Sequence, residues 1–121
     1  MDRPLRVLIA DDEPVMRALL GAIVGSDPGL ELVAQAVDAD EAIALAVEHH
    51  PDVALLDVEM PGGGGVRAAR AILTADPGVR VLALSGHATD AARSAMEAAG
   101  ATGYVIKGAL PADVARAIRG D

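Results

Sequence analysis

Five times in succession, a short apolar run in this chain gives way to a polar turn and then to apolar residues at helical spacing. Leu5 to Ala10 is followed by a helix opening at Pro14, with Met16, Leu19, Leu20 and Ile23 in its stripe. After a break at residues 25–29, Leu30 to Ala36 leads to a helix carrying Ala39, Ala42, Ile43, Ala46 and Val47, capped by Asp38 or Asp40 and ended by Pro51. Val53 to Leu56, closed by Asp57, precedes Val66, Ala69, Ile72 and Leu73. Val79 to Leu84, closed by Ser85, precedes a helix over residues 89–99. Gly103 to Ile106 precedes a last helix opened by Pro111, with Leu110, Val114, Ala117 and Ile118 expected to face inward. Strands that alternate with helices in this way pair in parallel and are covered on both faces. The expected fold is therefore α/β, a doubly wound sheet of five parallel strands.

A chain of 121 residues supports one core, so residues 1–121 read as a single domain. Phe and Trp are absent and Tyr104 is the sole aromatic, which leaves Ala, Val, Leu and Ile to fill that core. The fourth helix is expected to bury mainly alanine, with Met96 its one bulky anchor. The absence of cysteine excludes a disulfide framework and a thiolate metal site. A net charge of −8 without a basic cluster argues against a direct grip on a nucleic-acid backbone. No apolar run approaches the roughly 20 residues of a membrane span, and nothing resembles a signal peptide. A cytoplasmic domain with no membrane contact is the expectation.

In a parallel sheet all the carboxyl ends of the strands lie on one edge, where open α/β sheets bind ligands. Here those ends carry Asp11 and Asp12 after the first strand, Asp57 on the third, Ser85 on the fourth and Lys107 after the fifth. Two carboxylates 4 Å apart repel by roughly 4 kcal/mol at an effective dielectric near 20. Lys107, the only lysine in the chain, offsets one charge. A hard divalent cation is the natural second partner, and Mg²⁺ accepts carboxylates, waters and a phosphoryl oxygen together.

Asp11-Asp12, Asp57 with Met60-Pro61 and Gly65, Ser85, Tyr104 and Lys107 occur in the order and spacing of a known family. The chain resembles, over its whole length, a bacterial two-component response-regulator receiver domain. The ending Gly103-Tyr-Val-Ile-Lys-Gly-Ala109 is similar to the branch with helix-turn-helix output domains of the NarL/FixJ/LuxR type. The resemblance implies a flavodoxin-like (βα)5 fold with strand order 2-1-3-4-5. It also implies Mg²⁺-dependent phosphoryl transfer from a sensor histidine kinase to Asp57, with Mg²⁺ held by Asp12, Asp57 and the Glu59 carbonyl, and by Asp11 directly or through water. Lys107 and Ser85 would pair with phosphoryl oxygens, and Tyr104 would follow Ser85 as the switch. Glu59 and His87 would flank the path of the hydrolytic water and tune dephosphorylation. Such a domain is a self-phosphorylating acceptor rather than a turnover enzyme, and controls transcription through a separate output domain. The family allows a homodimer on phosphorylation and DNA contact only through that output domain, from which this chain would have been trimmed.

The chain departs from the family at Gly63 and Gly64, which remove a helix-capping acid, and at Gly108, which stands where proline often follows the lysine. A cis bond before glycine is costly, so the isomer at Lys107–Gly108 is left open. Two other readings remain. One is an interaction module that keeps the fold without phosphorylation, although such a module typically lacks one of the acids or the lysine. The other is a haloacid-dehalogenase-like phosphatase, which places its nucleophile after the first strand and needs a late acid; only Asp113 is available here.

Overall fold

The computed structural model describes residues 3–86 and 89–121. Its elements run β1 (Leu5–Ala10), α1 (Pro14–Gly25), β2 (Leu30–Ala36), α2 (Ala39–His49), β3 (Val53–Asp57), α3 (Gly64–Ala75), β4 (Arg80–Ser85), α4 (Asp90–Ala98), β5 (Gly103–Ile106) and α5 (Pro111–Arg119). The five strands form one sheet in the order β2-β1-β3-β4-β5, and every neighbouring pair is parallel. The chain moves outward from β1 to β2, then crosses back over β1 to β3. That reversal opens a crevice beyond the carboxyl ends of β1 and β3.

Strand residues alternate between two apolar layers, as the pleat requires. Val7, Ile9, Leu55, Leu82, Leu84 and Val105 pack with Leu20 and Val24 of α1 and with Val114 and Ile118 of α5. Leu8, Ala10, Ala54, Leu56, Val81 and Ala83 face the opposite way, onto α2, α3 and α4. Alanine dominates this second layer: Ala39, Ala42 and Ala46 of α2 meet Ala68 and Ala69 of α3. Small side chains let these helices lie close to the sheet and to each other.

Several residues expected to face inward do not. Leu19, Val47 and Leu110 are exposed. Leu110 precedes Pro111 as the residue flanking α5, so it lies outside the helix that would turn it inward. On α1 and α2, Leu20 with Val24 and Ala42 with Ala46 suffice for the buried stripe, and Leu19 and Val47 lie beside it. In α4, Ala91, Ala95 and Ala98 are exposed and Met96 is the only buried residue, so the helix rests on one side chain rather than on an alanine face. Strand β4 starts and ends one residue later than the apolar run, taking in Ser85. Asp38 is the cap of α2, accepting from the Glu41 N–H at 2.8 Å, whereas Asp40 pairs with Arg67 of α3. No peptide bond among the described residues is cis, so Lys107–Gly108 is trans.

Replacing Met96 with alanine removes the one buried side chain of α4. The expected cost is about 2–5 kcal/mol, measured by urea unfolding. Amide hydrogen exchange across residues 90–98 should rise far more than across α2, and a uniform rise over the molecule would contradict this picture of α4.

Candidate functional site

Each strand that borders the crevice delivers at least one charged group to it. Strand β1 ends at Ala10, and Asp11, wholly buried, continues its ladder by donating its N–H to the Ala36 carbonyl at 3.0 Å. Asp11 then turns the chain, its Oδ1 accepting from the Glu13 N–H at 2.9 Å. Arg17, one turn into α1, donates to the Asp11 carbonyl at 2.8 Å and ties the helix start to the strand end. Asp57 closes β3 with 2 % of its surface exposed, and its Oδ1 accepts from the Glu59 N–H at 3.1 Å.

Two glycines set how the chain leaves Asp57. A Cβ on Gly65 would lie 2.6 Å from the Asp57 carbonyl oxygen, and one on Gly64, where φ is +70°, would lie 2.5 Å from that of Val58. The start of α3 therefore presses on the backbone that carries the acid, and any side chain there would push the strand end away. As the missing acid implied, α3 starts without a side-chain cap.

Lys107 reaches in from the end of β5, its backbone N–H bonded to the Ser85 carbonyl at 2.8 Å. Its ammonium, 13 % exposed, lies 3.0 Å from Asp11 Oδ2, 3.1 Å from Asp57 Oδ2 and 2.6 Å from Glu13 Oε1. Glu13 was not among the residues singled out from the sequence. It follows the acid pair directly, and a third acid in that run was the available signal. Carboxylate oxygens of Asp11, Asp12, Glu13 and Asp57 all come within 4.8 Å of one another. The Glu59 side chain is exposed and stands apart from that group.

Burial is the largest influence on Asp57 and raises its carboxyl pKa to about 6. The Glu59 N–H and Lys107 work the other way without cancelling it, and the Asp11 charge adds to the rise. Burial also works against the charged form of Lys107, but its close contacts with the carboxylates of Glu13, Asp11 and Asp57 outweigh it and raise its pKa. The asymmetry follows from the count of charges, since one ammonium is divided among three acids. Asp11 Oδ2 is fully buried and has no hydrogen-bond partner among the described residues; at 3.0 Å from the ammonium it makes a charge contact outside hydrogen-bonding angles. A buried carboxylate oxygen without a donor, within an all-oxygen group of four acids, suits a hard divalent cation.

Ser85, at the end of β4, is buried. Tyr104 is partly buried against the alanine-rich layer, with the Arg93 guanidinium 4.7 Å from its ring centre. His87 lies outside the described residues. Asp113, the late acid a phosphatase would need, sits on α5 and pairs with Arg116 at 3.6 Å, outside the acidic group.

The model of the response regulator receiver domain matches residues 7–119. This chain belongs to that family. The receiver domain is 38 % identical over 115 residues to the response regulator GacA of Pseudomonas viridiflava, covering 95 % of this chain and 54 % of GacA. It is 37 % identical over 115 residues to the DNA-binding transcriptional activator DevR/DosR of Mycobacterium tuberculosis, covering 95 % and 53 %. The solved receiver domain of the putative response regulator NarL from Mycobacterium tuberculosis superposes with a TM-score of 0.94 at 30 % identity, covering 98 % of this chain and 96 % of that one. The receiver domain thus spans about half the length of these two curated relatives. The expected family, fold and strand order stand. Among the described residues no helix is long and apolar enough to cross a membrane.

The raised Asp57 pKa has a definite sign for stability. The native carboxyl holds its proton to about 6, while the unfolded one loses it near 3.8. Its contribution is therefore complete below about pH 4 and is lost as pH rises to about 6. In metal-free buffer, Asp57→Asn should remove this dependence and gain about 1–3 kcal/mol relative to the parent between pH 4 and 7. Parallel stability–pH curves for the two proteins would contradict the assignment.

Proposed function

We propose that this receiver domain takes a phosphoryl group onto Asp57 from a phosphohistidine of a sensor kinase and thereby switches the face formed by α4, β5 and α5. The observation that carries this reading is a deeply buried strand-end carboxylate in contact with the chain's single ammonium, beside a buried Asp11 oxygen that lacks a donor. In the transfer an Asp57 oxygen bonds to phosphorus while the P–N bond of the donor breaks, and the bonding pair leaves with nitrogen; with acetyl phosphate it leaves with the acetate oxygen. Asp57 attacks in its ionised form. The Glu59 N–H fixes one of its oxygens and Lys107 attends the other, so the carboxylate enters the reaction in one orientation.

Asp12, Asp57, the Glu59 carbonyl and Asp11, directly or through water, would hold Mg²⁺. Bound there, it would offset the charge of the acids and of the transferring phosphoryl oxygens. Lys107 would keep one phosphoryl oxygen as a compact point charge, and the Ser85 hydroxyl would donate to another. Movement of Ser85 would draw on Tyr104, whose ring now lies under Arg93. Glu59 and His87 would stand by the water that hydrolyses the acyl phosphate, so the domain resets itself without turning over a diffusible substrate. Its net charge of −8 leaves DNA contact to an output domain in the rest of the parent protein. The name of DevR/DosR, a relative about twice as long, supports such an output. A homodimer formed on phosphorylation would suit a regulator of this kind.

Asp57→Asn should abolish labelling by acetyl phosphate while the protein stays folded. Asp12→Ala should weaken Mg²⁺ binding about ten-fold or more by calorimetry, because an acid–cation contact in this setting is worth several kcal/mol. Label persisting on the same peptide of the Asp57→Asn protein would sink the assignment.

The switch itself is open to hydrogen exchange. With Met96 as its only buried residue, α4 should change protection on addition of beryllofluoride and Mg²⁺. Equal protection of residues 90–98 in both states would leave the proposed output face without support.

A further inference from the structure

The Lys107 ammonium is crowded against an arriving phosphoryl oxygen. It donates hydrogen bonds to Glu13 and Asp57, and Asp11 Oδ2 lies 3.0 Å away as a charge contact, so three carboxylate oxygens stand within 3.1 Å of it. A phosphoryl oxygen that pairs with Nζ becomes a fourth negative oxygen in this shell unless one of the three moves away, and like-charge repulsion favours that departure. Asp11 and Asp57 are held by burial, with 0 % and 2 % of their side chains exposed, and each fixes a neighbouring backbone N–H. The Glu13 side chain is 61 % exposed, although its contact of 2.6 Å is the shortest of the three. It alone can move its charge into water without a desolvation penalty.

Glu13 also stands where acids usually do something else. It is the N-cap residue of α1, and its side chain makes no cap bond. The carboxylate reaches away from the helix start to the lysine, while its backbone is held by the bond from its N–H to Asp11 Oδ1. The side chain can therefore swing on a fixed backbone.

We infer that Glu13 is the resting occupant of the place on Lys107 that the phosphoryl oxygen takes, and that its carboxylate swings out as that oxygen arrives. The inference rests on the reading of Asp57 as phosphoacceptor. Glu13 is a positioning residue in this account: it keeps Lys107 directed at the crevice in the resting domain and competes with every anionic donor.

The test compares Glu13→Gln, which keeps the length without the charge, with Glu13→Asp, which keeps the charge but falls a methylene short of Lys107. Aspartate is also a good N-cap, so that variant retains the helix start. Because Lys107 is the only lysine, the ¹³Cε–¹H signal of labelled lysine reports on it without assignment. The free proteins should differ in that signal, and their complexes with beryllofluoride and Mg²⁺ should coincide. Beryllofluoride affinity and the rate of labelling by acetyl phosphate should rise about two- to five-fold in both variants, the size of an exposed ion pair, and the gain should shrink in high salt. Equal affinities in all three proteins would overturn the inference. So would a gain in Glu13→Gln alone, which would reduce the effect to bulk charge. A loss of Mg²⁺ affinity matching that of Asp12→Ala would make Glu13 a ligand and overturn it as well. A parent protein with no lysine response to beryllofluoride would instead overturn the phosphoacceptor reading, and this inference with it.

Discussion

Three carboxylates around one ammonium leave the crevice short of positive charge, and the rest of the structure serves to hold that imbalance in place. Asp11 and Asp57 sit at the ends of adjacent parallel strands, so the sheet fixes their separation. Lys107 comes from β5, two strands away from β3, and reaches them because β4 carries Ser85 rather than a bulky side chain at its end. Relaxing the repulsion would mean breaking the ladder between β1 and β3, which lies in the middle of the core. The repulsion is therefore retained as a standing demand for a cation and for a partner that Lys107 can exchange.

That demand explains features that would otherwise count as defects. A buried oxygen of Asp11 has no hydrogen-bond partner, and the Asp57 carboxyl favours its protonated form up to about pH 6. The start of α3 has lost its cap to glycine, yet those glycines let the helix press onto the Asp57 and Val58 carbonyls. On the far side of the sheet edge, α4 buries Met96 alone. The site is rigid where the acids are fixed and loosely held where a response would be read out.

The sheet was legible because its signals are local. Four of the five strands begin at the first residue of their apolar runs, and glycine or proline marks the turns between them. Asp11, Asp12, Asp57 and Lys107 were legible because parallel strands deliver their ends to one edge. Glu13 was not, since its pairing with Lys107 spans 94 residues and depends on how far β5 projects beyond β1. Leu19 and Val47 were misread because helical spacing marks a stripe wider than the sheet can cover, and only packing decides its margins; Leu110 was misread because α5 begins one residue later, at Pro111. The alanines of α4 misled in the same way, being small enough to stand on either side of a helix without a signal.

The claim on which the account depends is that the charge-starved carboxylate at the end of β3 is the acceptor. Borohydride reduction of the domain after incubation with acetyl phosphate and Mg²⁺ would convert an acyl phosphate at that carboxyl into the corresponding alcohol, a change readable by peptide mass spectrometry. Homoserine is expected at the position of Asp57, with Asp11 and Asp12 unmodified. Reduction at Asp11 or Asp12, or an unmodified Asp57 in a protein that has taken up phosphate, would contradict it.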